Sequence, residues 1–166
     1  MTRIATRYAY RIGYIGKGGK LTHDELWLGS LLASGRWHTN HPGEGHLVVY
    51  AAETRALAQL EKRVHANNIQ PIDQAQFKLT IRATASVMNA KAELKLKPNW
   101  RDDETYTQAF GLSWLKSKKS LILYVPSYVE PNENNVLINP HHPQFHSHIK
   151  IIVEQNPFLF DPRLLN

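Results

Sequence analysis

The run SLILYV (Ser120–Val125) is apolar at almost every position. A half-buried strand alternates apolar and polar residues, whereas one that is apolar throughout must be covered on both faces. Pro126 closes the run, since proline has no N–H to give a strand ladder, and Ser127 follows it. A chain organised around such a strand needs packed layers on either side of a sheet.

The remaining patterns supply those layers. TRYAYRIGY reads as an opening strand, HLVVYAA (His46–Ala52) as a buried one, and NNVLINP and HIKIIVEQ as two more. FKLTIRATA alternates, with Phe77, Leu79 and Ile81 on one side. DELWLGSLLA predicts a short helix, and DETYTQAFGLSWLKS an amphipathic one carrying Phe110 and Trp114 on one face. Helices placed irregularly among about six strands make the class α+β rather than a regular βαβ chain. No repeat, low-complexity tract or Pro/Gly/Ser linker divides the 166 residues, so residues 1–166 are expected to form one domain.

One further helix carries an anomaly. In ETRALAQLEKRVH (Glu53–His65), Thr54 suits the N-cap, and Leu57, Leu60, Glu61 and Val64 recur at the spacing of a single face. Three of the four belong in a core, and the fourth is a carboxylate. Gln59, Lys62 and Arg63 mark solvated positions where a glutamate would cost nothing. An anion among apolar neighbours needs a partner or a proton. A buried ion pair, a helix end at the mouth of a cleft and a working acid would each account for it.

Composition narrows the function. Twenty Lys+Arg against 14 Asp+Glu give a net charge of +6, which favours anionic company such as nucleic acid, a phosphate-bearing small molecule or an acidic protein. The densest basic set, KSKKS (Lys116–Ser120), reads as a solvated loop. The chain has no cysteine, which excludes disulfides and thiolate zinc sites. No run has the length of a membrane span and the start lacks a secretion signal, so a cytoplasmic address and no membrane partner are expected. In GYIGKGGK, Gly13 and Gly18 have P-loop spacing, but Gly19 stands where the lysine belongs. HHPQFHSH places His146 and His148 on one face of an extended chain, yet no HExxH helix accompanies them, and no metal site is assigned.

Three polar residues lie at the edges of apolar elements: Glu61, Arg36 in ASGRWH after a tight Ser34–Gly35 turn, and Ser127. Each has an ordinary reading, as a paired helix glutamate, a structural ion-pair partner and a turn former. Taken together they suit one substrate. An arginine fork binds phosphate or carboxylate oxygens, a glutamate stabilises an electron-poor sugar carbon or holds its hydroxyl, and a serine donates to an amide or phosphate. Trp37 fits the core or an adenine stack, and Arg11 on the first strand carries no assignment by itself.

With these residues the sequence resembles the RES domain family, named for an Arg, a Glu and a Ser. The matching pieces are SGRWH at Arg36, HLVVYAAETRALAQLE ending at Glu61, LILYVPS ending at Ser127, ENNVLINPHHPQF (Glu133–Phe145) and PFLFDPRL, in family order across nearly the whole chain. The resemblance implies an ADP-ribosyltransferase-like α+β fold, a bent mixed β-sheet core with flanking helices that holds NAD in a cleft. It implies the toxin of a toxin–antitoxin pair, degrading NAD at the nicotinamide–ribose bond. Arg36 would bind the phosphates or ribose, Tyr50 would pack against the nicotinamide end, Glu61 would face the adjoining ribose, and Ser127 would help seat that end. NAD would be substrate, with no resident cofactor and with phosphate or water as acceptor. The partner would be an antitoxin with a helix-turn-helix DNA-binding part, and no direct nucleic-acid binding by this chain is expected. The loop between Arg36 and Tyr50 is slightly longer than the family's usual one. It has His38 where asparagine is common, and the turn before Arg36 is Ser–Gly where Gly–Gly is frequent.

Two rival functions fit parts of the chain. A basic RNA-targeting nuclease or binding module would use the charge, the nine histidines and the four tryptophans. It lacks a recognisable RNA-binding aromatic motif and a basic stripe. A transferase that attaches ADP-ribose to a macromolecule would use the same cleft.

Overall fold

The computed structural model describes residues 6–16, 18–41 and 46–165. In chain order its strands and α-helices are β1 (Arg7–Tyr14), α1 (Leu28–Leu32), β2 (Val49–Ala52), α2 (Arg55–Val64), β3 (Gln74–Ile81), β4 (Val87–Asn89), α3 (Glu104–Ser117), β5 (Ile122–Pro126), β6 (Asn134–Ile138), α4 (Phe145–His148) and β7 (Ile149–Gln155). The strands form one sheet in the order β4-β5-β6-β2-β1-β3-β7. Among the described residues only the β4–β5 pair is parallel.

The apolar run behaves as its pattern requires. Successive residues of β5 enter two different cores, because strand side chains alternate between faces. Ile122 joins Val136, Ile138, Leu26 and Phe145 on one side of the sheet. Leu123 and Val125 join Leu137, Trp100, Trp114 and Leu115 on the other. Thus α3 covers one face, and the segment leading into α1 together with α4 covers the other. Phe77, Leu79 and Ile81 of β3 are fully buried, as the alternation predicts.

Several local features differ from the sequence reading. The structure has a seventh strand, β4, whose three residues are too few for alternation to register. DELWLGSLLA divides into a 3-10 turn at His23–Glu25 and α1. The strand expected from His46 begins at Val49. His146 and His148 lie in the short helix α4 rather than in extended chain. α3 runs through Ser117 and Lys118 ends it in the left-handed conformation, so only Lys118 and Lys119 of KSKKS form the expected solvated loop, while Lys116 and Ser117 belong to the helix and Ser120 is buried.

One irregularity of the sheet positions the site. β1 pairs with β3 along its whole length, from Arg7–Ile81 to Tyr14–Gln74, but with β2 only at Tyr10–Ala52. Past that pair the two strands no longer share a ladder. Instead the Arg11 side chain donates from Nη1 to the Tyr50 carbonyl at 2.7 Å. Among the described residues no helix is long and apolar enough to cross a membrane.

Candidate active site

Glu61 lies on α2, which begins where Thr54 caps it by accepting the Leu57 N–H at 3.0 Å. The face expected at Leu57, Leu60, Glu61 and Val64 is only partly the buried one. Leu57 and Ala58 pack with Ala52 and Tyr10, whereas Leu60 and Val64 are 41% and 51% exposed. Ala58, Glu61, Lys62, Val64 and His65 line a cavity, so this wall is mainly the i, i+3, i+4, i+7 stripe moved on by one residue, or about 100° around the helix, with Val64 at its edge. The small Ala58 side chain lets the helix seat against the sheet with this face turned to the open side. Glu61 therefore borders the core instead of entering it.

The Glu61 carboxylate is held from one side. Ser127 Oγ donates to Oε1 at 2.8 Å, and Asn135 Nδ2 donates to the same oxygen at 2.7 Å. Among the described residues no hydrogen bond reaches Oε2. Ser127 is fully buried and its oxygen also accepts the N–H groups of Val129 and Glu130. Its hydroxyl stands behind the carboxylate and fixes it, while Asn135 is on the cavity wall.

Arg36 and Trp37 occupy the tip of a turn closed by a Gly35–His38 bridge. The Arg36 guanidinium lies over the Tyr128 ring, 4.4 Å from its centre, donates to the Arg101 carbonyl at 3.2 Å and has Glu104 at 4.0 Å. Trp37 stacks on Trp100 with ring centres 5.6 Å apart, so it is a core residue. A Cβ on Gly111 of α3 would sit 1.9 Å from the Trp37 carbonyl oxygen, so only glycine lets the helix approach this turn.

Tyr50 is anchored under the same turn. His38 Nε2 lies 3.0 Å from the Ser30 carbonyl and must carry the proton there, which makes Nδ1 an acceptor. The Tyr50 hydroxyl donates to that Nδ1 at 2.8 Å and accepts the Trp37 N–H at 3.2 Å. Burial holds the His38 imidazole below its usual pKa, consistent with this neutral tautomer, and burial raises that of the Tyr50 phenol. With its hydroxyl engaged by Trp37 and His38, Tyr50 contributes to the cavity wall. A Cβ on Gly35 would come within 2.7 Å of that hydroxyl.

Arg36, Tyr50, Glu61, Asn135, Arg11 and Lys62 line one cavity of about 780 Å³. That is within the roughly 300–1,000 Å³ of small-molecule sites. The chain-distant Arg36 and Glu61 thus share a pocket, and Ser127 stands directly behind it. Three contributors lacked an assignment from sequence. Asn135 reads as an ordinary polar residue at a strand start, Lys62 as a solvated position on α2, and Arg11 as a lone strand arginine. Burial pushes the Arg11 guanidinium down to about 10. Lys62 is lowered too, first by burial and then by the charge of Arg11. Among the described residues no cluster of His, Asp and Glu is arranged to hold a metal.

Comparison with known proteins identifies the family. Residues 8–161 match the RES domain. The chain belongs to the RES domain family. A "Toxin Res" of Yersinia enterocolitica is 37% identical over 133 residues, covering 78% of this chain and 83% of that protein. A "Prs ADP-ribosylating toxin" of a Sphingobium species is 34% identical over 143 residues, covering 82% and 84%. The crystal structure of the M. tuberculosis MbcT-MbcA toxin-antitoxin complex contains a chain that superposes with a TM-score of 0.61 at 13% identity, covering 97% of this chain and 87% of that one. The fold of this RES chain is accordingly α+β, a seven-stranded mixed sheet with flanking helices, and is shared with a chain of that complex.

Proposed function

We propose that this RES domain protein is a toxin that degrades NAD by breaking the bond between nicotinamide and ribose. The observation that carries the reading is the Glu61 carboxylate, tied through Oε1 to Ser127 and Asn135 and belonging to a residue that lines the cavity shared by Arg36 and Tyr50. In NAD the nicotinamide ring is a pyridinium. When the C–N bond breaks, its electron pair goes to the ring nitrogen and nicotinamide departs as a neutral molecule. Positive charge develops on the ribose C1 and ring oxygen, as in glycoside hydrolysis. A fixed carboxylate beside that carbon stabilises the charge without having to reorganise. The Tyr50 ring offers a π-face to the cationic pyridinium. Arg36 supplies a planar fork for phosphate or ribose oxygens.

The acceptor completes the reaction at C1. Water yields ADP-ribose and a proton, and inorganic phosphate yields ADP-ribose carrying a phosphate on C1. A macromolecular nucleophile is the second reading, favoured by the name of the Sphingobium relative. The names of the relatives and the MbcT-MbcA complex support assignment to a toxin–antitoxin module. We assign to it an antitoxin partner with a helix-turn-helix DNA-binding part, acting in the cytoplasm. An acidic blocker of the cleft would suit the net charge of +6.

The test is incubation of purified protein with NAD, with and without phosphate, and chromatography of the products. Released nicotinamide with no ADP-ribose on protein or RNA is the expected result. ADP-ribose attached to protein or RNA would favour the second reading, and cleaved RNA with intact NAD would overturn both.

A further inference from the structure

A second cavity, of about 580 Å³, opens at the outer edge of the sheet, where β7 is the last strand. It shares no lining residue with the catalytic cavity. Arg82, Lys150, His23, His146 and His148 line it. These side chains come from three separate stretches of sequence, so no local pattern announces the cluster. Two of the histidines belong to HHPQFHSH, which the catalytic cavity does not use.

The charge here is of one sign. No Asp or Glu lines the cavity among the described residues. Asp24 Oδ1 lies 3.8 Å from His146 Nε2, with both side chains largely exposed, and no other lining side chain has a carboxylate within ion-pair distance among the described residues. The Arg82 and Lys150 side chains also make no hydrogen bond of the fold among those residues. Lys150 faces Thr80 across the β3–β7 pair, and just past its end the Arg82 N–H bonds the His148 carbonyl at 2.9 Å. Arg82 and Lys150 are thus diagonal neighbours across two strands, a spacing that long side chains can close on one anion.

The rest of the wall suits an organic group. His23 Nε2 donates to the Ile149 carbonyl at 2.7 Å, which fixes its ring. The His146 ring lies 5.4 Å away at 51°. Leu21, Ile149 and Ile151 add an apolar part. A recess of one sign draws counter-ions into it, and an arginine fork beside a lysine matches phosphate oxygens. The volume lies within the roughly 300–1,000 Å³ of small-molecule sites, well beyond the needs of a bare phosphate.

We propose that this cavity is a second ligand site and takes a mononucleotide. Its phosphate sits on Arg82 and Lys150, and its base lies against the His23 and His146 rings and the apolar wall. The site does not rest on the NAD reading, because none of its residues belongs to the catalytic cavity.

Titration calorimetry with AMP and with inorganic phosphate tests it. The variant is the double substitution Arg82→Gln with Lys150→Gln, at two exposed positions. AMP binding should weaken roughly tenfold or more when these charge-assisted bonds are lost. It should also weaken with added salt, and inorganic phosphate should bind less tightly than AMP. AMP held in the catalytic cavity instead would be weakened by Arg36→Lys and untouched by the double substitution. Wild-type protein that does not bind AMP, AMP binding unchanged in the double variant, or phosphate bound as tightly as AMP overturns the proposal. NAD turnover without AMP should match wild type in the double variant, and its loss in folded protein would overturn the separation of the two cavities. If AMP binds through Arg82 and Lys150 while wild-type protein leaves NAD intact, the NAD reading falls and this site stands.

Discussion

Ser127 Oγ donates to Glu61 Oε1 across 2.8 Å, joining the residue after β5 to the middle of α2 over 66 positions of sequence. The bond orients the carboxylate of a residue that lines the cavity. It also makes the serine and the glutamate separable by mutation.

Glu61→Gln keeps an oxygen that accepts from Ser127 and Asn135, so the fold should persist. The negative charge is lost, and NAD consumption should fall roughly hundredfold or more. Thermal unfolding alongside a nicotinamide-release assay checks both halves. Full activity in a folded Glu61→Gln protein would remove the carboxylate from the mechanism.

Ser127→Ala should behave differently. The hydroxyl makes three hydrogen bonds while fully buried, to Glu61, Val129 and Glu130. Removing it leaves two backbone donors without a partner, at a cost of about 1–3 kcal/mol of stability. Denaturant unfolding should show that loss. NAD turnover should drop less than in Glu61→Gln, because the carboxylate stays charged but is less well aimed.

Arg36 is held by the Tyr128 ring and the Arg101 carbonyl. Lysine retains the charge and loses the fork, so Arg36→Lys should raise the KM for NAD by roughly tenfold with a smaller change in kcat. An equal KM in Arg36→Lys and wild type would show that the planar fork contributes nothing to binding.

His38 predicts a pH dependence of stability. Burial lowers its pKa in the fold, so below the usual imidazole value near 6.5 the unfolded chain binds a proton that the folded chain does not. Stability from this group is therefore complete above about pH 6.5 and declines as pH falls through the lowered value. Protonation would also remove the Nδ1 acceptor of the Tyr50 hydroxyl. Unfolding midpoints measured from pH 7.5 down to 5 should fall, and the fall should be smaller in His38→Asn.

Gly111→Ala places a methyl against the Trp37 backbone, 1.9 Å from its oxygen. Neither side is the flexible tip of a side chain, so helix and turn must part. A loss of about 3 kcal/mol is expected. Since Trp37 adjoins Arg36, the KM for NAD should rise even in protein that is still folded at the assay temperature.

Much of this architecture is legible along the chain, and the reasons are local. β5 is covered on both faces because nearly every one of its side chains is apolar. Thr54 caps α2 because a threonine precedes a helical repeat. β4 escaped notice because three residues carry no period. Asn135 and Lys62 escaped because nothing adjacent to them separates a cavity wall from open surface.

For α2 itself, the sequence determined that a helix forms, where it starts and that Glu61 lies along it. Tertiary structure decided which way it faces. Leu57, Leu60 and Val64 make a hydrophobic stripe as good as any, yet Leu60 is exposed, Val64 is half exposed at the cavity edge, and Ala58, Glu61, Lys62 and His65 line the cavity. Helix period is a property of the chain, but helix rotation is set by what the helix packs against. Here a small alanine seated on β1 and β2 outweighs two larger side chains, and that turn of about 100° puts the carboxylate within reach of Ser127 and Asn135.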